Sequence, residues 1–94
     1  MREVQLRGTL RCATTAESEL VARHLPTHVA LTREEPGCIS FEVTRSEDPL
    51  IWRVEERFAD AAAFRAHQAR VAASEWGRVT AGIARDYTVS GLDA

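Results

Sequence analysis

Four short stretches of this chain alternate apolar and polar residues with a period of two, and the segments between them repeat at helical spacing. Val4, Leu6, Leu10 and Cys12 alternate with Gln5, Arg7, Thr9 and Arg11, which predicts a half-buried strand from Val4 to Cys12. Gly8 falls on its apolar side, where a missing side chain admits another backbone. A second strand is predicted from Cys38 to Arg45, with Ile39, Phe41 and Val43 on one side and Ser40, Glu42 and Thr44 on the other. A third runs from Leu50 to Phe58, with Trp52, Val54, Glu56 and Phe58 on one face and Arg53, Glu55 and Arg57 on the other. The turn Ser46–Pro49 between them is short enough for an antiparallel hairpin. The last strand puts Ile83, Arg85, Tyr87 and Val89 on one side and Asp86, Thr88 and Ser90 on the other.

Two helices fill the gaps. Thr14 and Glu17 have capping-box spacing, and Leu20, Val21, Leu25, His28, Leu31 and Thr32 follow on one face. Pro26 removes one backbone hydrogen bond and predicts a kink or split, and Pro36–Gly37 ends the segment. Asp60 caps a second helix whose apolar stripe is Ala63, Phe64, His67 and Val71. A short extra helix is expected from Glu75 to Ala81, capped by Ser74 and stopped by Gly82.

The order β-α-β-β-α-β predicts an α+β, ferredoxin-like domain over residues 1–94, with both helices on one face of a four-stranded antiparallel sheet. The other face mixes charge with bulk, which predicts a homodimer in which a second copy covers it. A domain of this size buries a modest share of its surface, so association adds stability. The formal charge of -2 argues against nucleic acid as a partner. Lysine is absent and all twelve basic residues are arginine. Cys12 and Cys38 fit no metal or redox spacing and read as buried free thiols. No membrane span or apolar leader is expected, which points to a cytoplasmic protein.

The run from Thr32 to Glu42, containing Glu34-Glu35-Pro36-Gly37-Cys38, resembles the junction of first helix and second strand in antibiotic biosynthesis monooxygenase domains. Trp52-Arg53-Val54-Glu55-Glu56-Arg57-Phe58-Ala59-Asp60 resembles their third strand, where an acidic residue precedes an aromatic by two positions. Ala63-Phe64-Arg65-Ala66-His67 resembles the start of their second helix. The resemblance implies a dimeric α+β barrel with a pocket in each subunit. Relatives include oxygenases that act on quinols and polycyclic phenols without metal or flavin. Others isomerise small signalling molecules, degrade haem, or have no known activity. The haem-degrading relatives use a first-strand asparagine, and this chain contains no asparagine at all.

A cofactor-free oxygenase needs an electron-rich substrate, an apolar cavity, a base and a means of holding an oxyanion. His67, on the apolar stripe, is the candidate base or oxyanion donor; the alternative is a buried structural histidine. Glu56, among apolar neighbours, is the candidate partner that orients His67; the alternative is an ion pair with arginine. Trp52 and Trp76 are candidates to stack on a planar substrate, Trp76 from a loop that could lid the pocket. Phe41 and Phe58 are candidate walls, and His28 could face the pocket. His24 and His28 lie one helical turn apart, but no third metal ligand accompanies them. The implied activity is monooxygenation of a quinol or phenolic aromatic with molecular oxygen and no cofactor. The alternatives are an isomerase of a small metabolite on the same scaffold and a non-catalytic dimeric ligand-binding module.

Overall fold

In the computed structural model, residues 2–92 are described. Met1, Asp93 and Ala94, which the reading of one domain over 1–94 includes, lie outside them. The described residues form seven elements: β1 (Val4–Arg11), α1 (Thr15–Arg33), β2 (Cys38–Arg45), β3 (Ile51–Phe58), α2 (Ala61–Ala72), α3 (Glu75–Val79) and β4 (Ala84–Ser90). The strands make one antiparallel sheet in the order β2-β3-β1-β4, the ferredoxin-like arrangement.

Local chemistry starts each helix. The Thr14 hydroxyl accepts from the Glu17 amide at 3.2 Å, and the Glu17 carboxylate accepts from the Ala13 amide at 2.7 Å, one residue before the cap. Asp60 accepts from the Ala63 amide at 2.8 Å, and Ser74 from the Gly77 amide at 3.0 Å. Pro26 does not split α1, which runs unbroken for 19 residues. The proline lies on the solvent side, so water can serve the carbonyl that it leaves free. α3 stops at Val79 with Thr80 as its cap, two residues short of the expected end at Ala81.

The sheet has two unlike faces. Val4, Leu6 and Leu10 of β1 stand opposite Phe58, Glu56 and Trp52 of β3. With Val54, Val21, Phe64 and Ile83, the apolar members of these pairs form the core under the helices. Fully burying one such side chain contributes about 1.5–3 kcal/mol, so these positions hold the helices to the sheet. Leu31, placed on the buried stripe by its spacing, is 45% exposed. Ile39, expected inside with Phe41, is 49% exposed, because a register shift between Cys38 and Ser40 turns it out. Cys12 is buried and Cys38 half-buried, both free, and burial pushes both thiols up.

The opposite face carries more charge than bulk. Arg7 faces Glu55, Thr9 faces Asp86, and Glu42 and Glu55 stand directly opposite each other. Arg57 holds Glu3 through two bonds of 2.8 Å, which with the Gln5 amide draws the Glu3 carboxyl down to about 2. Among the described residues no helix is long and apolar enough to cross a membrane.

Candidate active site between the sheet and the helices

Two close backbone approaches shape the space around His67. A side chain at Gly8 would meet the Asp86 carbonyl at 2.0 Å and the Tyr87 ring at 2.8 Å, so glycine here lets β4 bring Tyr87 over the centre of the sheet. A side chain at Gly37 would meet the Ala63 methyl at 2.2 Å, so glycine lets the α1–β2 turn lie against the first turn of α2. That second approach carries Glu35, two residues before Gly37, to the side of His67.

His67 is the hub. It is 2% exposed on α2, with Phe58 at 4.8 Å and Phe41 at 5.7 Å between ring centres. Its Nδ1 lies 3.0 and 3.2 Å from the two Glu35 carboxylate oxygens. Arg70 Nε donates to the same carboxylate, and Arg70 Nη2 donates to Thr32 Oγ1 at 2.9 Å. Thr32 in turn donates to the His28 carbonyl at 2.8 Å, which closes the network onto α1. On the other side of the ring, Nε2 is 3.8 Å from Glu56 Oε1. That is too long for a direct hydrogen bond.

Glu56 therefore does not orient His67, and Glu35 makes the hydrogen bond assigned to it. Arginine does not neutralise Glu56 either: Oε1 is one of two buried side-chain atoms without a partner among the described residues. The other is Nδ1 of His28. Both atoms have left water without replacing its hydrogen bonds, a costly state that recurs at binding sites. Burial raises the Glu56 carboxyl to about 7, and the Glu35 charge adds to the rise. Burial lowers His28 to about 3, helped by the neighbouring His67, Arg70 and Arg85. His67 is also lowered by burial, and the Glu35 carboxylate opposes that shift. Tyr87 is pushed up to about 12, chiefly by burial.

His28 reaches the site from α1 and stacks on Trp76, with ring centres 4.4 Å apart and planes 3° apart. Trp76 lies on α3, the short helix expected to start at Glu75, and is buried rather than placed on a loop over the pocket. His28, His67, Trp76, Arg85 and Tyr87 line one 340 Å³ pocket between α2, α3 and β4. A second pocket of 200 Å³ meets the other side of the His28–Trp76 stack. Arg85 is held by the α3–β4 turn, donating to the Thr80 and Ile83 carbonyls at 2.7 and 2.9 Å. Trp52 is not brought to this site. Its Nε1 donates to Ser18 Oγ at 3.0 Å and its ring lies under the Arg45 guanidinium at 4.4 Å.

His24 contacts Glu75 at 3.5 Å. Among the described residues no three His, Cys, Asp or Glu side chains form a metal-binding group. Glu35 and Arg70 were missed by reading the sequence, although each leaves a signal. Glu34 and Glu35 place negative charge just past a helix C-terminus, where the helix dipole disfavours it. Arg70 follows His67 by three positions on α2, which makes the two neighbours on one helical face.

A family profile described as "Antibiotic biosynthesis monooxygenase" matches residues 7–78. A comparison with curated proteins found no match. Among solved structures, PA3566 of Pseudomonas aeruginosa is similar over 100% of this chain and 95% of its own, with TM-score 0.74 and 21% identity. A proposed antibiotic biosynthesis monooxygenase of Deinococcus radiodurans is similar over 97% of this chain and 93% of its own, with TM-score 0.74 and 17% identity. Rv0793 of Mycobacterium tuberculosis is similar over 98% of this chain and 97% of its own, with TM-score 0.74 and 20% identity. At these identities the likeness is one of fold.

Proposed function

Because this chain belongs to the antibiotic biosynthesis monooxygenase family, we propose that it is an oxygenase that inserts oxygen into a quinol or phenolic small molecule, using His67 as the base. The observation that carries this reading is the 3.8 Å gap between His67 Nε2 and Glu56 Oε1. A phenolic oxygen about 2.8 Å from both atoms donates its proton to Nε2 and accepts one from protonated Glu56. With Glu56 raised to about 7, its proton is available near neutral pH to hold the oxyanion that forms. A carboxylate or phosphate in the same place would meet the charge of Glu35 beside His67, whereas a neutral hydroxyl would not.

The substrate anion then reduces dioxygen, so the substrate supplies all the electrons. For a hydroquinone, one oxygen atom enters the ring and the other leaves as water; hydroquinone plus dioxygen gives hydroxyquinone plus water. Phe41 and Phe58 wall the base, and His28 and Trp76 offer the flat surface for the ring. Residues 1–94 act as one domain in a cytoplasmic homodimer. Its charged sheet face, bearing Arg7, Arg53 and Arg57 beside Glu42, Glu55 and Asp86, is covered by the second copy. A face with both signs of charge can complement itself across a twofold axis.

The test is oxygen uptake with a panel of hydroquinones, comparing wild type with His67→Ala. A fall of about 10²- to 10⁴-fold, the range a positioned base contributes, is expected. Uptake that is unchanged in His67→Ala refutes the role of the base. Solvent hydrogen exchange into a ligand without oxygen uptake refutes the oxygenase and leaves an isomerase. Light scattering that gives a monomer at high concentration refutes the dimer.

A further inference from the structure

We propose that Glu35 and Arg70 are positioning residues that keep the ring proton of His67 on Nδ1, so that the basic nitrogen, Nε2, is the one turned toward Glu56. This rests on the reading of His67 as the base. Nδ1 faces two oxygens of one carboxylate at 3.0 and 3.2 Å. A carboxylate paired with a guanidinium accepts hydrogen bonds and cannot donate them, so Nδ1 must carry the proton. In free histidine the proton prefers Nε2, and the pairing reverses that preference. In the opposite tautomer, Nε2–H would point toward Glu56 and the ring could take no proton from a substrate there.

Arg70 makes the arrangement rigid. Its fork spans the Glu35 carboxylate and the Thr32 hydroxyl, and so ties α2 to the end of α1. A lysine has no such fork. The other charged and titratable groups around His67 come from three elements: His28 on α1, Glu56 on β3, and Arg85 and Tyr87 on β4. Among the described residues it is the Glu35 carboxylate, and none of these groups, that hydrogen-bonds to Nδ1. Glu35 lies 32 positions before His67 and 35 before Arg70, so the turn at Gly37 is what brings it to them.

The ring nitrogens can be read directly by long-range ¹H–¹⁵N NMR without substrate. In the wild type at neutral pH the pattern of Nδ1–H with bare Nε2 is expected. Glu35→Gln keeps the shape and removes the charge. Arg70, which only donates, claims the amide oxygen; the amide nitrogen then faces Nδ1, and the proton moves to Nε2. Turnover of a hydroquinone should fall about 10²-fold or more, mainly in kcat. The acid limb of the residual activity should move to lower pH, since the Glu35 charge favours protonated His67. Glu35→Asp restores a carboxylate, and should return the wild-type tautomer and part of the activity. Arg70→Lys should give an intermediate loss. A wild-type ring protonated on Nε2, or a Glu35→Gln ring with unchanged tautomer and kcat, overturns the proposal. If the tautomer flips as expected but no hydroquinone is oxidised by the wild type, the positioning role stands and the oxygenase reading fails.

Discussion

Glu56→Gln should stabilise this protein at pH 8 relative to wild type and do so much less at pH 5. Glu56 is 7% exposed, and burial lifts its carboxyl from 4.5 to about 7. The folded pKa is therefore above the unfolded one. Between those values the native state holds a proton that the unfolded chain has released, so stability falls as pH rises through the interval. Converted at about 1.4 kcal/mol per factor of ten, the full difference above pH 7 is about 3 kcal/mol. Glutamine keeps the shape and carries no charge, so it removes this penalty. Its own amide adds a cost that does not change with pH, and that cost cancels when the two pH values are compared. The wild-type pH curve alone would mislead, because His28 acts in the opposite direction. Lowered from 6.5 to about 3, it favours folding as pH rises through that range. Urea unfolding of both proteins at pH 5 and pH 8, at one fixed protein concentration, isolates the Glu56 contribution. A difference between variant and wild type that is the same at both pH values would refute the burial of an ionising Glu56.

Three further outcomes follow from the same contacts. Turnover should be bell-shaped in pH, with an acid limb below 6.5 from His67 and a decline through about 7 as Glu56 loses its proton; a flat profile from pH 5 to 9 would separate both groups from the chemistry. Ser18→Ala leaves the Trp52 indole N–H without its acceptor and should cost about 1–3 kcal/mol in unfolding measurements, with ligand affinity unchanged because Trp52 lies away from the pocket. Gly8→Ala should lower the melting temperature and weaken ligand binding together, since the new methyl displaces Tyr87, and a crystal structure showing Tyr87 unmoved would contradict this.

Much of the fold was legible before any coordinates. Alternation marked the four strands, and the caps Thr14, Asp60 and Ser74 marked three helix starts, because each signal is completed within a few residues. The same pattern set Glu56 and His67 among apolar neighbours. The errors began where position depended on distant partners. Ile39 follows the alternation perfectly, yet the shift against β3 turns it outward. Trp52 shares a strand face with Glu56, yet it stands four residues along β3, opposite Leu10 at the far end of the sheet, where Ser18 takes its N–H.

By itself, then, the sequence determined the elements, their order, the buried faces of β1 and β3 and the family to which they belong. Tertiary structure alone decided which carboxylate holds His67. Glu35 and Glu56 are equally acidic in sequence, and what separates them is geometry: the Gly37 turn brings one to hydrogen-bonding distance of Nδ1, while the sheet keeps the other 3.8 Å from Nε2. Hydrogen bonds change from strong to negligible within about an ångström, and no pattern along a chain specifies distances across a fold that finely.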